Sequence, residues 1–217
     1  MIKSFRHKRV YSRGHAGIRR TGENNMITRR EFVAGVACAT VAGKLIGQEA
    51  DAAKKEKLVA SCGLYCGACA MYLATKEDNY EGRRASIQKQ FGGFDIKLSK
   101  EDLLCDGCLS GGRLASFCRK CGMRDCATDK AKTRRCSECA EFSCSRITGF
   151  NKDGMLHHSE VLENLNQLRV MGIKDWAKHE EERWRCPVCK TAFAWYDSEC
   201  VKCKAPRPDK LFPLKKA

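Results

Sequence analysis

The sequence predicts a small, metal-stapled, α-rich (α+β) domain that ends in a C-terminal β zinc ribbon. Three observations predict it. Sixteen cysteines less Cys38 leaves fifteen downstream of residue 60, mostly paired as Cys-x2-Cys, the spacing at which a tight turn aims two sulfurs at one ion. The segment richest in them, 105–144, has few large apolar residues beyond Leu109, Leu114, Phe117, Met123 and Phe142, too few to offset chain entropy by burial. Around it, apolar residues recur at helical spacing, as at Ile87 and Phe91 or Val161, Leu165 and Leu168.

The chain opens with a signal rather than a fold. Thr28-Arg29-Arg30-Glu31-Phe32 precedes an apolar stretch over 33–46 and a small-residue site at Ala50-Asp51-Ala52. This order reads as a twin-arginine export signal, with Arg29 and Arg30 as its recognition pair. The implied partner is the twin-arginine translocase, which moves proteins already folded. The mature chain is then exported, periplasmic or extracellular after cleavage. Residues 1–52 form the signal region, and Met26 sits where a start is usual, so residues 1–25 are an upstream extension or a long basic leader. The apolar run is too short to span a bilayer, and no later run spans one. Gly35-Val36-Ala37-Cys38 lacks the large aliphatic residue expected three before a lipidated cysteine.

Charge bounds the partners. The formal +15 looks like a nucleic-acid binder, but residues 1–52 hold 10 of the 41 Lys+Arg and 4 of the 26 Asp+Glu. The rest keeps 31 and 22, a formal +9. A four-thiolate zinc site carries about −2, so a few such sites cancel most of that excess. An exported chain also does not meet nucleic acid. Disulfides compete for cysteine outside the cytosol, yet an odd count forbids full pairing within one chain.

Residues 53–183 read as the cysteine-rich helical metal-binding domain. Cys62-Gly-Leu-Tyr-Cys66-Gly-Ala-Cys69 leads into a helix through Ala70 to Leu73. A second helix covers Gly82 to Phe91 and stops at Gly92-Gly93. Ser99 with Asp102 resembles a capping box for a short third. In the centre, Cys118-x2-Cys121-x4-Cys126 recurs as Cys136-x2-Cys139-x4-Cys144. Ser159 is placed to cap a helix ended by Gly172, and Asp175 to start another through Trp176 to Glu182. His157, His158 and His179 read as surface or capping residues. Residues 184–217 form a zinc-ribbon-like module and basic tail, with Cys186-Pro-Val-Cys189 and Cys200-Val-Lys-Cys203 flanking the β-prone Thr191 to Tyr196.

All fifteen of these cysteines are candidate metal ligands. Cys186, Cys189, Cys200 and Cys203 have the spacing of one closed tetrahedral site. Zinc is the first expectation. Iron in a rubredoxin-type site is the rival, although Lys190 and Lys204 stand where iron knuckles favour glycine. Cys105, Cys108, Cys118 and Cys121 also have ribbon spacing, leaving Cys126, Cys136, Cys139 and Cys144 as another set. Crossed pairing of Cys118 and Cys121 with Cys136 and Cys139 is equally allowed. Cys62, Cys66 and Cys69 are three over. They read as a zinc site completed by a histidine or a distant cysteine, or as an iron–sulfur or open metal site. No Ser/His/Asp constellation, paired carboxylates or phosphate-binding loop accompanies them.

Taken together, Cys62-Gly-Leu-Tyr-Cys66-Gly-Ala-Cys69, Cys105-Asp-Gly-Cys108, Met123-Arg124-Asp125-Cys126-Ala127 and Cys136-Ser-Glu-Cys139-Ala-Glu-Phe-Ser-Cys144 resemble the family catalogued as domain of unknown function 3795. The likeness continues through Phe150-Asn151-Lys152-Asp153-Gly154 and Trp184-x-Cys186, covering most of 58–205. The resemblance implies a cysteine-rich prokaryotic metal-binding protein presumed to hold zinc, and no known reaction. The function expected is an exported metal-binding protein with a structural, interaction or metal-handling role. The alternatives are an iron–sulfur or rubredoxin-type electron carrier, and a metalloenzyme with an open site at the first motif.

Overall fold

The computed structural model describes residues 49–91 and 97–214. The Arg29–Arg30 pair, Cys38, most of the signal region and the Gly92-Gly93 stop lie outside them. Helices recur along the described chain: α1 over 49–56, α2 (Ala70–Glu77), α3 (Tyr80–Gln90), α4 (Lys100–Leu103), α5 (Gly122–Asp125), α6 (Ser145–Asn151), α7 (Val161–Met171) and α8 (Ile173–Arg183). Tight 3-10 turns at Cys66–Ala68, Ser116–Cys118 and Cys136–Glu138 carry the cysteines between them. None of the helices among the described residues is long and apolar enough to cross a membrane.

Local chemistry sets the helix ends. Asn79 caps α3, its side-chain oxygen accepting from the Gly82 amide at 2.9 Å. The capping box at α4 is present, with Ser99 and Asp102 each bonding the other's backbone. Gly172, at a φ of 76°, ends α7 as expected. Its start differs from the sequence reading. The Ser159 hydroxyl donates to the Leu156 carbonyl at 2.6 Å instead of capping α7. A 3-10 turn over Leu156–Glu160 runs straight into the helix, so the entering residue, Glu160, is already helical and no extended cap exists.

One apolar core lies behind the cysteine turns. Val161, Leu165 and Leu168 of α7 pack with Trp176 and Ala177 of α8, all buried. Tyr65, inside the first cysteine motif, meets the Trp176 ring edge-on at 6.4 Å. Gly63 holds a φ of +84°, and a Cβ there would stand 2.7 Å from the Leu165 side chain. Glycine is thus demanded twice, by conformation and by close approach. The first motif is thereby pressed onto α7.

The expected β ribbon is not formed. Among the described residues there is no strand, and pairing is limited to isolated bridges, including Arg185 with Ala192 and Glu199 with Pro206 in the last module. The β-prone Thr191 to Tyr196 pairs only at its start. The Phe193 amide bonds the Trp184 carbonyl at 2.8 Å beside the Arg185–Ala192 bridge, and the Trp195 amide then turns to the Ala68 carbonyl at 2.9 Å. Pairing therefore ends after one bridge as the segment docks on the first motif. Side chains complete the docking. Arg83 of α3 is fully buried and donates to Asp197 Oδ2 at 2.8 Å, to Glu77 at 2.8 and 3.0 Å and to the Ala192 carbonyl at 3.1 Å.

Candidate metal centres

The last four cysteines converge. In the first knuckle the Cys186 amide bonds the Thr191 carbonyl at 2.9 Å and the Lys190 amide returns to the Cys186 carbonyl at 3.0 Å. The second repeats it, from Cys200 to the Ala205 carbonyl at 2.8 Å and from Lys204 to the Cys200 carbonyl at 3.0 Å. Lys190 and Lys204 sit at φ of 62° and 61°, which explains why such knuckles favour glycine there. The four sulfurs all lie within 4.8 Å of one another. Cys189 Sγ is 3.5 Å from Cys200 Sγ, and Cys186 Sγ is 3.6 Å from Cys203 Sγ. A tetrahedral zinc with sulfurs at about 2.3 Å needs edges of about 3.8 Å, so the set fits one ion with little rearrangement. The Thr191 hydroxyl and amide hold the Cys189 thiol down at about 6, whereas desolvation and the other three thiols hold Cys203 up at about 12, so a metal that takes all four must displace protons from the set.

A second group surrounds a small cavity of about 30 Å³, lined by Cys126, Cys136, Cys139 and Cys144 with Met123 and Ile147. Cys126 sits at the end of α5, Cys136 and Cys139 span a 3-10 turn, and Cys144 precedes α6. Burial, then the neighbouring Cys144, Cys126 and Cys139, push the Cys136 thiol up to about 11. The Cys136 amide bonds the Ser61 carbonyl at 2.8 Å, tying this group to the first motif. These four cysteines line one cavity together, and Cys121 also faces Cys136.

The remaining seven come together around one larger cavity of about 340 Å³. Cys62, Cys66 and Cys69 enter from the first motif, and Cys105, Cys108, Cys118 and Cys121 from the segment after α4. The two sets that the sequence suggests as separate share this space. Hydrogen bonds reach the sulfurs: the Cys108 amide donates to Cys66 Sγ at 3.5 Å, and Gln90 Nε2 to Cys69 Sγ at 3.7 Å. Backbone amides of Leu64, of Tyr72 and Met71, and of Gly107 and Ala115 face Cys62, Cys69 and Cys105 in turn. Burial, with the neighbouring Cys105 second, pushes the Cys69 thiol up to about 12, and burial likewise raises Cys62. A metal must therefore displace a proton from each thiol it takes.

Residues 58–149 match the family model described as Protein of unknown function (DUF3795). No curated protein and no solved structure matches the chain. The DUF3795 match takes in the seven-cysteine cavity and the second group. It stops short of the 205 to which the sequence likeness was drawn, so the terminal four cysteines lie beyond it.

The histidines separate. His179 is exposed, as expected. His158 pairs with Asp153 at 2.7 Å. His157 corrects the surface reading. It is buried, bonded through Nδ1 to the Tyr196 hydroxyl at 2.8 Å and stacked on Trp195 at 4.5 Å. Burial, then His158, drives its pKa down to about 2, so it is neutral and its ring lines the seven-cysteine cavity. Gln90 has no ligand-like spacing in the sequence. Only the fold of α3 brings it to Cys69.

Proposed function

We propose that this protein is an exported, metal-stapled protein with a structural or interaction role, its terminal thiolate set holding zinc. One observation carries the metal reading: four sulfurs within 4.8 Å, with opposed pairs at 3.5 and 3.6 Å. Its shell closes on thiolates alone, which suits a structural ion and leaves no position for substrate. The second group surrounds space for one more ion. Export is supported by the Arg29–Arg30 signal and its apolar run. The twin-arginine translocase is the partner that signal addresses, and it accepts a chain whose metals are already bound.

Metal content per chain tests this reading. The full chain purified without added metal should contain zinc, and Cys189→Ser should lose about one equivalent. Zinc unchanged in that variant would sink it. A red chromophore lost with Cys189 would replace zinc by iron at the same four sulfurs.

A further inference from the structure

We infer that the seven-cysteine cavity is the seat of a four-iron, four-sulfide cluster, a cofactor distinct in kind from the single ion of the terminal set. The contrast in space carries the argument. The second group of four cysteines lines about 30 Å³, room for one ion, whereas this cavity is about 340 Å³. Among the described residues, no three metal-ligating atoms other than those of the terminal set come within 4.8 Å of one another. A single zinc needs four sulfurs about 3.8 Å apart. A cubane binds each thiolate through a different corner iron, so it requires sulfurs set well apart around a volume that its own sulfides fill.

The walls resist collapse onto one ion. The Cys66 amide bonds the Leu58 carbonyl at 2.7 Å, and the Cys69 amide bonds the Cys66 carbonyl at 3.0 Å. On the opposite wall the Cys105 amide is held by Thr75 Oγ1 at 2.9 Å, and the Cys118 amide by the Ala115 carbonyl at 2.8 Å. Drawing these turns together would open voids behind Gly63 and Leu165, which close packing disfavours.

The surroundings suit the cluster. Apolar side chains line the cavity, including Leu64, Met71, Phe91, Ala115, Phe117 and Trp195. Such a shell limits water and tunes potential. Amide and Gln90 donors already aim at Cys62, Cys66, Cys69 and Cys105, and such bonds stabilise cluster thiolates. Cys118 has Cys108, Cys69 and Cys105 as its nearest charged neighbours, and Cys66 has Cys108 and Cys69. Cys62 likewise faces Cys108, and Cys118 also faces Cys121. Four of the seven lining cysteines supply the ligands. Ligation exchanges each thiol proton to solvent for one sulfur–iron bond. Two ferrous ions, two ferric ions and four sulfides supply the rest of the cluster, so its 2+ core forms with no further oxidant.

The test is anaerobic reconstitution of the full chain with equal amounts of ferrous and ferric iron and sodium sulfide, followed by desalting. About four acid-labile sulfides per chain are expected, with a broad brown absorption band. Labile sulfide is the deciding readout, because single zinc or iron ions at thiolate sites contain none. Replacing Cys62, Cys66, Cys69, Cys105 and Cys118 together by Ser leaves two of the seven lining sulfurs and should lower sulfide at least tenfold. Cys189→Ser should keep the sulfide while losing its own ion, so this inference and the terminal-site reading fail separately. If the multiple variant does not fold, the wild-type sulfide and a short iron–iron distance by X-ray absorption decide. About two or fewer labile sulfides in wild type, or full sulfide in a folded multiple variant, overturns the assignment.

Discussion

Arg83→Met should loosen the terminal metal module from the helices without touching a metal ligand. The guanidinium is completely buried, and Asp197 retains only 6% side-chain exposure. Methionine replaces the stem but not the charge. Asp197 would keep the Ser86 hydroxyl and the Ala194 amide, 2.5 and 2.7 Å away, yet among the described residues its carboxylate would lose its ion-pair partner, leaving Arg207, which bonds the Asp197 backbone carbonyl at 2.9 Å, as the cation nearby. Removing one partner from a buried pair costs about 3 to 5 kcal/mol, chiefly because the other charge stays buried. The Glu77 arm adds little, since that carboxylate is 31% exposed and solvent screens it. The assay is chelator-driven zinc release from the full chain, with Trp195 fluorescence reporting undocking. If release proceeds through undocking, 3 to 5 kcal/mol corresponds to about a hundred- to several-thousand-fold acceleration. Asp197→Asn in the Arg83→Met background should recover part of the loss, because it removes the stranded charge. Release slowed or raised less than about threefold would refute the reasoning, as would a double variant no better than the single.

Other perturbations follow from single residues. Glu180 is buried, and burial raises its pKa despite Arg183 and the Trp184 indole, with Glu160 and His179 also facing it. The folded chain thus holds that proton more tightly than the unfolded chain. Its contribution is complete below the ordinary carboxylate range and is lost as pH rises through the folded value. Glu180→Gln should remove that decline, so relative to wild type the variant gains stability between pH 4 and pH 7; a pH-independent difference in thermal midpoint counts against this. Lys190→Gly and Lys204→Gly should each relieve about 1 kcal/mol of left-handed strain, partly offset by glycine's unfolded freedom. Zinc release from the terminal site should slow about two- to fivefold, and faster release in both variants would contradict the strain account. Replacing Arg29 and Arg30 together by Lys should leave the chain uncleaved in the cytoplasm, and normal export of that variant would remove the twin-arginine reading.

Helices were legible where local chemistry decides them. The capping box at Ser99, the stop at Gly172 and the apolar stripe of α7 need only neighbours in the chain. Ser159 misled because its competitor was a 3-10 turn, which sequence pattern does not distinguish from an extended cap. The terminal hairpin was misread for a different reason. Phe193 and Trp195 have high strand propensity, but such propensity measures fit to a half-buried surface. Here the surface is the first cysteine motif and α3, and the amide of Trp195 bonds Ala68 rather than a neighbouring strand.

The cysteine knuckles were legible and their grouping was not, and the reason is physical. Spacing within a knuckle is set by a turn of three or four residues, so each Cys-x2-Cys announces itself. Which knuckles meet depends on contacts far apart in sequence. Gly63 against Leu165 seats the first motif on α7, and the Cys136 amide on the Ser61 carbonyl seats the second group beside it. Thr75 at the end of α2 fixes Cys105 opposite Cys66 and Cys69. Those three anchors turn two sequence sets, one of three cysteines and one of four, into a single seven-sulfur wall. The apparent defect of the first motif, three ligands where a closed site needs four, is thereby resolved without a histidine. His157 is neutral, stacked on Trp195 and bonded to Tyr196, whereas Cys105, Cys108 and Cys118 line the same cavity as the first motif and offer it further sulfurs.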